Sequence, residues 1–419
     1  MILTILMYAA AAIVAIPALT LGLECLLALL PPANRRACEA TPRPSAAVLV
    51  PAHNEETGVA ATVESIRQQL GDEDRVIVIA DNCTDGTAQA AQTAGATVWE
   101  RCDEEHRGKG YALRFAFAEL SAAPPEVVIC IDADCTLEAN CLSRLARAAV
   151  AWNRPVQAAY LMHAPEAAGP LSAISAFAVL VKNFVRPRGL QRVGLPCLIT
   201  GSGVAYPWSI LQTAPHPDGH IVEDMRFATD LALAGYAPRP LMEAVLRAPL
   251  PVAADAIASQ RTRWEHGHLS VLLAEAPRLL LGAMRSGSLN LIALALELAV
   301  PPISLFLPLF GLAGAAFLLT AAVSGAWGVF AIWGTAAATM TLGLAFAWQR
   351  FGRQVLPPEK LRCIPGYAAS KFGIYRQFVT RRQTAWVRTD RGQSTGGPPQ
   401  YHSDLPTPSA GSRAVNSFD

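Results

Sequence analysis

Three apolar runs limit what this chain can fold into. Residues Ile2–Leu30 carry no charge except Glu24, Leu298–Val323 follow Glu297, and Ala326–Trp348 begin after a Ser-Gly turn. Each is at least as long as the about 20 apolar residues that carry a helix across a bilayer. They predict transmembrane helices at 1–30, about 298–323 and about 326–348, the last two within a region 276–350. The alternative for the first run is a secretory signal peptide. It lacks a basic leading region and is longer than the usual apolar core of such a peptide, so an uncleaved anchor is expected. The chain is 52% hydrophobic and 16% charged with a net charge of +1. That balance gives no support for nucleic-acid binding through a broad basic field.

Basic residues orient the spans. Arg35 and Arg36 follow the first, Arg278 and Arg285 precede the second, and Arg350, Arg353, Lys360 and Arg362 follow the third. The turn between the second and third has no Lys or Arg. By the positive-inside tendency, the middle of the chain and its C-terminus are cytoplasmic, as in a multi-pass protein of the inner membrane. The cysteine count agrees, being nine, an odd number without a Cys-x-x-Cys pair. Reduced core thiols are expected rather than disulfides or zinc ligands.

After a Pro/Ala/Arg linker at 31–45, strand and helix signals alternate. Ala46–Pro51, Arg75–Ala80, Ala96–Glu100 and Val127–Ile131 are short apolar runs bounded by polar residues, the pattern of strands buried on both faces. Helical stretches of ordinary length separate them, which predicts an α/β domain over 46–275, its sheet mainly parallel with helices on both faces. Ligands bind such sheets at the carboxyl ends of the strands.

At those ends the sequence places polar loops: PAHNEE with His53, Asn54 and Glu55; ADNCTDGT beginning at Asp81; RGKG with Lys109; and DADC with Asp132 and Asp134. Two carboxylates at i and i+2 on one strand edge suit a hard divalent cation, which takes oxygen ligands and keeps waters or phosphates. Lys109 between two glycines at a helix start suits a phosphate. Taken one at a time, each is matched by ordinary turn and capping chemistry. Four on one edge point to a nucleotide site.

Beyond Trp152 the alternation lapses. Leu171–Val185, ending in Lys182 and Arg186, fits a membrane-surface helix or a buried one. Thr200–Gly203 is a small-residue loop suited to close approach of a ligand. Glu223 and Asp224 open a helix ending at Gly235, where acidic residues also complement the helix dipole. Gln260, Arg263 and Trp264 recur at i, i+3 and i+4 and so share one helix face. Residues 351–390 are basic and aromatic without a spanning run, suiting an interfacial segment. Residues 391–419 have a disordered composition.

The order Asp81, Asp132-Ala-Asp134, Glu223-Asp224, Gln260-Arg261-Thr262-Arg263-Trp264 resembles the D, DxD, ED, QxxRW series of membrane-bound family-2 inverting glycosyltransferases, which include cellulose, chitin, hyaluronan and poly-N-acetylglucosamine synthases. The resemblance covers roughly 46–273 and implies a GT-A domain that binds a nucleoside-diphosphate sugar. It implies that His53, Asn54, Glu55 and Asp81 contact the nucleoside and that Lys109 lies near the diphosphate. It further implies that Asp132 and Asp134 hold Mg²⁺ or Mn²⁺, with Asp134 the metal ligand. Asp224 is then the base beside Glu223, and Gln260, Arg263 and Trp264 steady diphosphate and acceptor. Large processive synthases have more than three spans. The expected activity is therefore transfer of one sugar, or a few, to a lipid-linked or glycan acceptor at the bilayer, in envelope or exopolysaccharide assembly. The alternatives are a processive synthase working with partner subunits and a nucleotide-sugar-binding protein without turnover.

Overall fold

The computed structural model describes residues 2–31, 41–163, 169–215, 217, 222–250 and 254–380. The expected linker at 31–45 falls largely outside these residues, with Arg35 and Arg36, as do 381–390 and the expected tail at 391–419.

Among the described residues, eight strands form one sheet: β1 (Ala46–Ala52), β2 (Arg75–Asp81), β3 (Thr97–Arg101), β4 (Val127–Cys130), β5 (Thr136–Leu137), β6 (Val156–His163), β7 (Val204–Pro207) and β8 (Arg239–Pro249), in the order β3-β2-β1-β4-β7-β6-β8-β5. Successive side chains of a strand point to opposite faces. Ala47 and Leu49 of β1 accordingly join one core, with Ile77, Ile79 and Val128, while Ala46, Val48 and Val50 join the other, with Val76, Val78 and Ile129. The first core is closed by the helices Lys109–Leu120, Glu223–Leu233, Ala254–Ser286 and Leu289–Ala299, and the second by Val59–Arg67, Thr87–Thr93 and Cys141–Trp152. Leu49 and Ile79 are fully buried, each contributing about 1.5–3 kcal/mol of apolar transfer. This is a GT-A type α/β domain joined to membrane-type helices.

The sheet is mainly parallel, as expected, with antiparallel members. The pairings β1–β2, β1–β4, β2–β3 and β6–β8 are parallel, but β7 runs antiparallel to both β4 and β6, and β5 runs antiparallel to β8. The inversion of β7 positions the site. A strand that starts where β4 ends carries the loop Thr200–Gly203 to the edge that bears Asp132 and Asp134. Gly203 donates its N–H to the Cys130 carbonyl at 2.9 Å, and the Asp132 N–H is received by Ser202 Oγ at 2.9 Å. Gly203 has φ +75°, and a Cβ there would collide with Leu246, so only glycine makes this junction.

Among the described residues, three helices are long and apolar enough to cross a membrane, within Ile2–Leu27, Ile303–Ser324 and Trp327–Gly352. The second begins at Ile303 rather than about 298. Pro301 and Pro302 lack backbone N–H groups and push the preceding residue to extended backbone, and Val300 has ψ 107°. The apolar segment before them is a separate helix, Leu289–Ala299, whose Leu291, Leu294 and Leu298 pack into the sheet's core. The first and third spans cross at two glycines: a Cβ on Gly22 would lie 2.6 Å from the Thr339 carbonyl oxygen, and one on Gly343 2.5 Å from that of Gly22. Small residues are what allow such backbone contact between helices in lipid.

The segment after β6 is buried, not laid on a surface. It runs as the helix Pro170–Leu180, a π turn at Val181–Val185 and the helix Arg186–Arg192. Leu180, Val181 and Val185 join Leu161 of the sheet to Ala18, Leu21 and Phe306 of the spans. Arg186 pairs with Glu24 and donates to the Glu297 carbonyl at 2.8 Å, while Glu297 accepts the Leu198 N–H at 2.8 Å. Of the expected interfacial segment at 351–390, Tyr367 and Lys371 are buried, with Lys371 paired to Glu265 of the helix Ala254–Ser286.

Candidate active site

A cleft of about 250 Å³ opens at the carboxyl edge of β1, β2 and β4. Of the residues expected in the site, His53, Glu55, Asp81, Lys109, Asp132, Asp134, Glu223, Asp224, Gln260, Arg263 and Trp264 line it; Asn54 does not. Asn54 has φ +55°, a backbone state in which Asn is over-represented among residues with a side chain. Its side chain ties the β1 loop to the β2 loop, donating to Thr84 Oγ1 at 3.1 Å and accepting the Thr84 N–H at 2.7 Å. His53 Nδ1 lies 2.7 Å from the Asp81 carbonyl, and Glu55 N–H donates to Thr87 Oγ1 at 2.7 Å. These bonds hold the first two loops as one wall.

Asp81 is nearly buried, and Arg101 at the end of β3 donates to its Oδ1 at 2.6 Å. Arg101 also reaches Asp103 Oδ2 and the His106 carbonyl, each at 2.8 Å. Nothing in the local pattern marked Arg101; its role follows from β3 lying beside β2 with Asp81 opposite Arg101.

Lys109 opens the helix Lys109–Leu120, but its ammonium is bound within the protein. It pairs with Asp132 and donates to the Gly201 carbonyl at 2.7 Å. Burial opposes its charge, yet Asp132 and the Glu223–Asp224 pair outweigh burial and hold its pKa above the usual value. Lys109 therefore links three loops.

Glu223 and Asp224 occupy the first turn of their helix, where Asp224 Oδ1 accepts the Met225 N–H at 2.8 Å. They touch the cleft but are enclosed by protein on the scale over which water stabilises charge. Burial first, then the neighbouring Asp224 carboxylate, push Glu223 up to about 7, with Lys109 opposing. Burial likewise raises Asp224, against the lowering influence of Lys109 and Lys182. Such a pair titrates jointly, and a carboxylate brought towards neutrality is suited to taking a proton. Lys182, from the π turn after Leu180, lines the cleft as well; the segment's apolar pattern gave no sign of it.

One prediction follows from the pair. The acid limb of kcat/KM, which reports the free enzyme, should lie above the ordinary carboxylate range, because burial raises both carboxylates, with activity falling as the pair gains protons. In Glu223→Gln the limb should move to lower pH, because the remaining carboxylate loses a like-charged neighbour. A limb near 4 in the parent protein, from a rate profile over pH 4–9, would contradict it.

Asp132 and Asp134 present hard oxygen donors on one edge. Among the described residues no three His, Cys, Asp or Glu side chains converge on a metal cage. The pair fits a cation that completes its shell with phosphate oxygens and water, as Mg²⁺ commonly does.

The chain belongs to the Glycosyl transferase family group 2, whose model matches residues 127–347. A Glycosyl transferase family 2 model also matches residues 47–161. Among curated relatives, the low-salt glycan biosynthesis hexosyltransferase Agl6 of Haloferax volcanii is 34% identical over 104 residues, 24% of each chain. Protein RfbJ of Shigella flexneri is 31% identical over 94 residues, 22% of this chain and 67% of that one. The match thus spans about a quarter of the archaeal relative. Among solved structures, the mannosyltransferase PcManGT of Pyrobaculum calidifontis, in complex with GDP-Man and Mn²⁺, is 22% identical with a TM-score of 0.46, over 81% of this chain and 98% of that one. Glucosyl-3-phosphoglycerate synthase of Mycobacterium tuberculosis is 19% identical with a TM-score of 0.36, over 58% and 85%.

Proposed function

We propose that this protein moves a sugar from a nucleoside-diphosphate sugar to a hydroxyl of a lipid-linked or oligosaccharide acceptor, with inversion. It works at the cytoplasmic face of the inner membrane, in envelope or exopolysaccharide biosynthesis. The observation that carries this is the meeting, in one cleft, of a raised-pKa carboxylate pair with Asp132, Asp134, Lys109 and Arg263.

The roles follow from the chemistry. His53, Glu55 and Asp81 hold the nucleoside, and Gln260 and Trp264 border the acceptor side. Asp224 removes the proton of the acceptor hydroxyl as its oxygen bonds to the anomeric carbon. The bond from that carbon to the diphosphate breaks on the opposite face, so one displacement inverts the centre. Arg263 offsets the charge gathering on the departing diphosphate, while Lys109 keeps Asp132 and the Gly201 loop in place. Asp134, with Asp132 beside it, would hold a divalent cation, which would supply further neutralisation of that diphosphate.

Purified full-length protein, screened against nucleoside-diphosphate sugars with and without membrane lipid extract, should release nucleoside diphosphate with one donor and faster with lipid. No release and no nucleotide binding with any donor would refute the proposal. For the orientation, cysteines placed at Ser45 and Ser394 should be shielded from an impermeant thiol reagent in intact cells, and one at Ser324 should react. Labelling at Ser45 in intact cells would place the cleft on the wrong side.

A further inference from the structure

Between the cleft and the start of the second span lies a smaller cavity of about 110 Å³, walled on the membrane side by residues 300–303. Val179, Lys182 and Trp264 line both spaces, so only a layer of side chains separates them. The cavity's charge is one-sided: four basic side chains line it, Lys182, Arg186, Arg261 and Lys371, against one carboxylate, Glu265. Arg186 is paired with Glu24 and Lys371 with Glu265. Among the described residues, Lys182 and Arg261 make no hydrogen bond or ion pair; the Arg261 guanidinium lies over the Tyr367 ring, 5.4 Å from its centroid.

Two half-buried cations that form no direct ion pair, beside the start of the second apolar helix, are costly to hold. Asp224, Glu265 and Glu297 offset the Lys182 charge only in part, since burial still lowers its pKa. Their positive charge is best offset by an anion entering from the membrane side. A neutral acceptor would need no such charge. Phosphate answers the geometry, since a guanidinium donates to its oxygens in pairs and an ammonium serves it as a point charge. Lys182 joins this cavity to the cleft and lowers the pKa of Asp224, so an anion bound there sits next to the place where the acceptor hydroxyl loses its proton.

We propose that this cavity seats the phosphate of a phosphate-bearing lipid acceptor, held by Lys182 and Arg261, with its chain leaving past residues 300–303 into the bilayer. The proposal rests on the glycosyl-transfer reading and narrows its acceptor to an anionic lipid.

The test is binding of farnesyl phosphate, farnesol and dioleoylphosphatidylglycerol to the full-length protein in nanodiscs of neutral lipid. Farnesyl phosphate should bind saturably and at least about tenfold more tightly than farnesol. Charge-assisted hydrogen bonds are worth about 1.5–3 kcal/mol, so Lys182→Gln and Arg261→Gln should each weaken it by roughly ten- to hundredfold. Farnesol binding should be unchanged in both, nucleoside-diphosphate affinity should be retained in Arg261→Gln, and Arg261→Lys should recover part of the loss. Equal affinity for farnesol and farnesyl phosphate would overturn the proposal. So would displacement of farnesyl phosphate by phosphatidylglycerol at equal concentration, which would make the occupant bulk phospholipid. If nucleotide binding and donor turnover persist while the phosphate preference is absent, this inference fails and the transferase reading stands.

Discussion

Asp224→Asn is expected to lower the transfer rate by about 10²–10⁴-fold, the usual worth of general-base assistance, while leaving donor affinity nearly unchanged. The separation follows from when the group acts. A base contributes as the acceptor proton leaves, so its removal lowers turnover without weakening the ground-state complex. Asn keeps the shape of the side chain and an oxygen to accept the Met225 N–H, which Asp224 Oδ1 receives at 2.8 Å, so the first helical turn survives. Were Asp224 only a complement to the helix dipole, its loss would cost about 0.3–1 kcal/mol of stability and little catalysis. Donor affinity by calorimetry, paired with transfer rates for Asp224→Asn and Glu223→Gln, decides between them. Near-parental transfer by Asp224→Asn refutes the assignment, and an inactive Glu223→Gln beside it would move the base one residue back.

Asp134→Ala is expected to abolish turnover, with a loss of at least about 10²-fold, since metal stabilisation of transition-state charge is worth several kcal/mol. It should weaken nucleotide binding chiefly when Mg²⁺ or Mn²⁺ is present. The two aspartates differ in surroundings, and this gives the experiment its control. Asp132 is paired with Lys109, so Asp132→Ala should disturb the Gly201 loop and impair nucleotide binding with or without metal. A metal-dependent loss confined to Asp134 supports the division of roles. Full parental activity in the presence of a strong chelator would remove the metal from the mechanism.

Much of the site is legible along the chain because its parts are local. Apolar runs of four to six residues with polar ends mark strands, and a carboxylate at the last position marks the edge where a ligand sits. Gln260, Arg263 and Trp264 fall on one stripe because a helix repeats every 3.6 residues, and all three do line the cleft. The helices long and apolar enough to cross a membrane are legible because bilayer thickness sets the length such a run needs.

The tertiary structure alone decided which loops meet. Lys109 reaches the carbonyl of Gly201, 92 residues away, because β7 turns back beside β4; no local pattern encodes the direction of a short strand between two buried neighbours. Arg101 serves Asp81 through sheet order, and Lys182 enters the cleft through a π turn in an apolar segment whose period reads equally as surface or core. Asn54 leaves the cleft because its loop must be tied to the next one. The sequence by itself determined period, length and the chemistry at element ends, which depend on neighbours in the chain. Partnerships between distant side chains depend on strand order and direction, and these are settled only when both faces of the sheet are packed.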